Sequence, residues 1–102
     1  YNKNFIYIEI EMPDAAGKAI PGIPIVFIDP SHRRKAYTIA HELEHTRGVV
    51  REYMANYNSV IKLWESDIPY LKYAAFTKIV FIVCQMYPSN YDCTEMLVRY
   101  AL

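Results

Sequence analysis

One hundred and two residues, 53% of them hydrophobic, are enough for one compact core and leave no room for a second folded domain. Eleven basic and eleven acidic side chains cancel to a formal charge of zero, which removes the global field that would recruit nucleic acid or an anionic membrane surface. Two cysteines, Cys84 and Cys93, are too few for a disulfide framework, though one bond between them stays open.

Residues 5 to 11, Phe-Ile-Tyr-Ile-Glu-Ile-Glu, alternate so that Ile6, Ile8 and Ile10 share one side of a predicted strand. Pro13, Asp14 and Gly17 break it, and Pro21, Gly22 and Pro24 punctuate the approach to a second predicted strand, Ile25-Val26-Phe27-Ile28. Ser31 is the expected N-cap of a helix over residues 32–47, which holds no Gly or Pro and stops at Gly48. Further helices are predicted from about Val49 to Glu65 and from about Tyr70 to Met86. A short fourth follows Pro88 and Ser89 and ends near Tyr100. The longest apolar stretch, Ala74 to Cys84, contains Lys78 and is too short to span a bilayer, so it reads as a buried helix with Phe76, Ile79, Val80, Phe81 and Val83 on its core face. The expectation is a single α+β domain over residues 1–102, short N-terminal strands followed by helices. Because Tyr1 is neither an initiator methionine nor part of a signal-peptide pattern, the chain reads as a fragment of a longer protein.

The chemistry is concentrated in His41-Glu42-Leu43-Glu44-His45. On a helix, positions i and i+4 lie on one face about 6 Å apart along the axis, so both imidazoles can converge on one zinc ion. Glu42 then stands where a general base can reach a metal-activated water without being a ligand. The bland alternative is a solvated helix face, on which Glu44 and Arg47 would be exposed positions. His32, near the helix start, reads as surface.

A catalytic zinc takes three protein ligands and keeps an open position. In the pattern H-E-x-x-H-x-x-G-x-x-H a third histidine supplies the last ligand, but here Gly48 is followed by Arg51 at that place, and an arginine cannot ligate zinc. Glu52 opens the sequence Glu-Tyr-Met-Ala-Asn, an E-x-x-A-N form found where the third ligand is a glutamate. On one straight helix Glu52 would lie about 10 Å beyond His45, too far for a shared metal. A tight helical hairpin at Gly48 removes that difficulty, since glycine accepts a left-handed C-terminal cap. Asn56, one turn on, would then hydrogen-bond the far nitrogen of a ligating histidine. Glu65, twenty residues after His45, is the competing ligand in a context that does not match E-x-x-A-N.

With these residues in place, His41 to Tyr57 resembles an uncharacterised bacterial family of membrane-anchored zinc peptidases, domain of unknown function family 3810. The family pattern H-E-L-x-H-x-R-G-x-x-R-E-x-E-A-N-F is matched at His41, Glu42, Leu43, His45, Arg47, Gly48, Arg51, Glu52, Ala55 and Asn56. It is departed from at Met54 and Tyr57. Asp67 to Tyr73 looks like the family's continuation, so the likeness covers about residues 38 to 87. It implies a zincin-like catalytic domain, with the parent chain anchored by N-terminal transmembrane helices and this domain outside the cytoplasm; it implies no particular substrate. The approach Arg33 to Leu43 is more loosely similar to the ImmA/IrrE repressor-cleaving peptidases, a likeness that would place the protein in the cytoplasm.

The sequence therefore points to a peptidase acting on a peptide or protein, with Zn2+ held by His41, His45 and Glu52, Glu42 as base, and Arg51 and Asn56 supporting the ligands. Arg47 and Arg51 could contact substrate, but ion pairing with acids such as Glu44 is an equally good role. Among ten tyrosines, Tyr73 is the candidate to stabilise an oxyanion. An extended substrate would need a free strand edge, for which residues 25–28 are the candidate. The competing class is a non-catalytic module in which the metal site, or its remnant, serves sensing or assembly.

Overall fold

The computed structural model describes residues 4–31, 34–86 and 95. Within them the chain forms β1 (Ile6–Glu9), β2 (Gly17–Ala19), β3 (Ile25–Ile28), α1 (Lys35–Thr46), α2 (Glu52–Trp64) and α3 (Pro69–Met86). The class is α+β, as expected, with one more strand than the alternation indicates. The expected fourth helix, His32 and Cys93 lie outside the described residues.

The three strands make one sheet in the order β1-β3-β2, β1 parallel and β2 antiparallel to β3. The apolar run Ile25–Ile28 is thus the central strand, paired on both sides, and not the free edge expected of it. Val26 and Ile28 point to one face and are fully buried against Leu43, with Phe5 and Ile39 packed alongside. The expected isoleucine face of β1 is not buried: Ile6, Ile8 and Ile10 remain 56%, 37% and 50% exposed. The reason is coverage, because α1 packs on β2 and β3 and does not reach β1.

Ser31 does not cap α1. Its amide and hydroxyl both donate to Asp29 Oδ1, at 2.9 and 2.7 Å, while Asp29 Oδ2 accepts the Met12 amide at 3.0 Å. Asp29 so closes a turn at the end of β3, and the helix begins three residues later than the cap signal implies, with Arg34 at its N-cap and no side-chain cap bond.

Helix α1 is the middle layer. Leu43 and Ile39 face the sheet, whereas Tyr37 and Ala40 pack against Leu63 and Ala75 of the other two helices. α2 meets this core through Ala55, Ser59 and Leu63, a stripe repeating every turn. α3 uses Ala75, Thr77, Val80 and Cys84, so of the core face expected from the sequence only Val80 is buried; Phe76, Ile79 and Val83 are about two-fifths exposed. No helix among the described residues is long and apolar enough to cross a membrane.

Glu44 is 2% exposed, not a solvated position. Its Oε2 accepts from Lys62 Nζ at 2.6 Å and from Arg47 at 2.7 Å, which ties α1 to α2 through a charge-assisted pair. Burial alone would raise the Glu44 carboxyl; the bond from Lys62 and the charges of Lys62 and Arg47 outweigh it and hold the group below its ordinary value. A depressed carboxyl contributes stability above the unfolded value near pH 4.3, and that stability is lost as the pH falls through the lower folded value. Urea midpoints measured across that acid range should therefore fall, and Glu44→Gln should flatten the acid limb. Lys62→Met, which strips one partner from a buried carboxylate, should cost about 1–3 kcal/mol at neutral pH.

Candidate metal centre

The hairpin required at Gly48 is present and fully bonded. Gly48 has φ +96°, its amide donates to the His45 carbonyl at 3.0 Å, and the Val49 amide donates to the Glu44 carbonyl at 3.1 Å. These two bonds form a Schellman motif, which satisfies carbonyls that the end of α1 would otherwise leave orphaned. Arg51 then takes an extended conformation and α2 begins at Glu52. The first turn of α2 consequently faces the last turn of α1.

This reversal brings together the three side chains singled out by spacing. Nε2 of His41 and Nε2 of His45 lie 3.1 Å apart, and the Glu52 carboxylate reaches them at 2.9 and 3.2 Å. Adjacent ligands around a tetrahedral zinc, with bonds of about 2.0–2.1 Å, are separated by about 3.4 Å. The donor set is therefore of the right chemistry and close to the right size. The histidine side chains are 13% and 14% exposed and Glu52 is 72% exposed, so the cluster opens to solvent on the Glu52 side. Glu65 is not in it; that residue sits at the C-cap of α2, thirteen residues beyond Glu52.

The two histidines are held differently. Nδ1 of His45 lies 2.6 Å from the Val49 carbonyl oxygen, which can only accept, so Nδ1 is the donor and Nε2 is the ring nitrogen left facing inward as a potential ligand. No expectation drawn from side-chain types anticipated this partner, because a backbone carbonyl leaves no mark in the sequence. Nδ1 of His41 is buried and makes no hydrogen bond. Asn56 stands beside that ring, where its side-chain hydrogen bonding favours the charged form, while its Oδ1 also accepts the Tyr37 hydroxyl. Burial lowers the His41 pKa, opposed in part by the Glu52 charge.

Glu42 is buried, with Oε2 4.0 Å from His41 Nε2. Burial is the main reason its carboxyl is pushed above the ordinary value; the Glu52 charge adds to the rise and His45 opposes it. The backbone of β2 lies directly over it. A Cβ on Gly17 would come within 2.7 Å of Thr38 Cγ2 and 3.0 Å of Glu42 Cγ, so this strand approaches α1 only because residue 17 has no side chain. A cavity of about 290 Å³ opens at this junction, lined by Ala16 and Gly17 of the strand side, Tyr37, His41 and Glu42 of α1, Asn56, and the cations Arg34 and Lys78.

Two expected supporting residues are elsewhere. Arg51 is exposed and donates to the Tyr53 hydroxyl at 3.2 Å. Tyr73 is half exposed on α3 and does not line the cavity. The tyrosine that does is Tyr37, whose ring centre lies 6.0 Å from that of His41. Burial, with the Glu52 and Glu42 charges, pushes its hydroxyl pKa well above the usual phenol value, so it stays a donor.

Residues 28–99 match the family described as Protein of unknown function (DUF3810), and the chain belongs to that family. Searches of curated proteins and of solved structures match nothing.

Because Gly48 has a left-handed backbone, Gly48→Ala should cost about 1–2 kcal/mol in denaturant unfolding. Gly48→Asn, which tolerates that conformation, should cost less. The same order should appear in divalent-metal affinity if the turn sets the spacing of the donors.

Proposed function

We propose that this member of the family is a zinc-dependent peptidase of the zincin type, with His41, His45 and Glu52 as ligands and Glu42 as general base. The observation that carries the reading is the convergence of two imidazole Nε2 atoms and one carboxylate, within 3.2 Å of one another, beside a buried second carboxylate. Zinc supplies a Lewis acid that polarises a peptide carbonyl and acidifies water toward neutrality. Glu42, its proton affinity raised by burial, accepts a proton from the attacking water and returns it to the leaving amine. His45 is fixed in the ligating tautomer by Val49, and Tyr37, its hydroxyl proton donated to Asn56 Oδ1, forms part of the cavity wall. β2 is an outer strand whose Gly17 lines the cavity, so an extended peptide has a backbone edge beside the reacting groups.

Protein prepared without chelator should carry about one zinc per chain. His41→Ala, His45→Ala and Glu52→Ala should lose it in metal analysis, and Glu65→Ala should keep it; zinc lost only from the Glu65 variant would reassign the third ligand. Glu42→Gln should retain zinc and cleave a tryptic peptide mixture at least about a hundredfold more slowly, read by mass spectrometry. Undiminished cleavage by that variant would sink the mechanism.

A further inference from the structure

One wall of the cavity is not used by hydrolysis. Lys78 reaches it from α3, and Arg34 reaches it from the residue that precedes α1. The Lys78 ammonium lies 4.5 Å from the centre of the Tyr37 ring and 5.2 Å from that of Phe81, and the Arg34 guanidinium lies 4.2 Å over the same Phe81 ring. Two cations thus share an aromatic support, and no carboxylate of the described residues pairs with Lys78. Burial and the Arg34 charge both work against its charged form.

A half-buried ammonium with no carboxylate of the described residues beside it is electrostatically unfavourable alone and is relieved when an anion arrives next to it. The aromatic faces keep the ammonium in place without neutralising it. Tyr37 connects the two halves of the cavity, with Lys78 4.5 Å over its ring and the His41 ring centred 6.0 Å from its own. An anion held at Lys78 would therefore belong to a molecule that also reaches the histidines. If that molecule is a peptide, the anion it natively carries is a carboxylate.

The geometry points to a carboxylate-binding subsite, formed by Lys78 and Arg34 on the Tyr37 and Phe81 rings, that selects peptides carrying a carboxylate near the bond to be cleaved. This rests on the peptidase reading. A free C-terminus and an acidic side chain offer the same group, and the test separates them.

Zinc-loaded Glu42→Gln protein, which holds peptides without cutting them, is titrated calorimetrically with two matched pairs. The first is acetyl-Ala-Ala-Ala as free acid and as amide; the second is amidated acetyl-Ala-Glu-Ala-Ala and its glutamine counterpart. The acid member of at least one pair should bind about tenfold more tightly, and which pair shows it identifies the source. Adding Lys78→Gln should erase that advantage, whereas Lys78→Arg should keep it, with thermal melting confirming that both variants fold. Equal binding within both pairs, no measurable binding by any peptide, or an advantage that survives Lys78→Gln would overturn the subsite. Metal content is read separately: if zinc does not bind, the peptidase reading fails, and the same titrations on metal-free protein still decide whether discrimination tracks Lys78.

Discussion

Everything in the candidate centre depends on the chain reversing between Thr46, the last residue of α1, and Glu52, the first of α2. A helix continued through this stretch would carry Glu52 away from the histidines at 1.5 Å per residue. The left-handed Gly48 stops it, and the two Schellman bonds make the stop a defined geometry. Val49, the residue completing that motif, also gives its carbonyl to His45. The turn that ends the helix is thereby the same structure that orients one of the imidazoles, so backbone economy and donor placement cannot be varied separately.

α1 carries two buried carboxylates two residues apart, and their surroundings treat them oppositely. Glu44 points toward α2 and receives two cations, which keep it ionised and make it a bolt between the helices. Glu42 points to the cavity under β2, where burial raises its proton affinity and no lysine or arginine stands within ion-pair distance among the described residues, His41 Nε2 lying 4.0 Å away. The first arrangement suits structure and the second suits proton transfer. The helix thus gives its two carboxylates opposite surroundings, with the fully buried Ala40 and Leu43 filling the space toward each core.

The features legible in the sequence are those written in local patterns. The i, i+4 histidines, the glycine stop and the glutamate after it gave the hairpin and its three converging side chains. Alternation located β1 and the apolar run located β3. β2 escaped because Gly17, Lys18 and Ala19 have no strand propensity and form a strand only through pairing with β3. The buried face of α3 escaped because that helix is apolar nearly all round, so periodicity does not distinguish Ala75 from Phe76. Tyr37 could not be separated from the other nine tyrosines without the position of Asn56, and the burial of Glu44 became visible only with Lys62, eighteen residues away. Side-chain types predict which groups attract one another; they do not predict which surface the tertiary fold covers.

The three converging donors span twelve consecutive residues, 41 to 52, whereas the parallel pairing of Ile6 with Ile25 joins positions nineteen apart across a break-rich segment. Donor convergence is thus a local event and sheet closure a distant one. A cation drawn to these side chains would favour the chain conformations in which α1 has already turned back on itself, so binding it and forming the helical pair would be thermodynamically linked. The short turn then acts on the order of assembly as well as on its end point: the hairpin can become a template on which Val26 and Ile28 settle against Leu43.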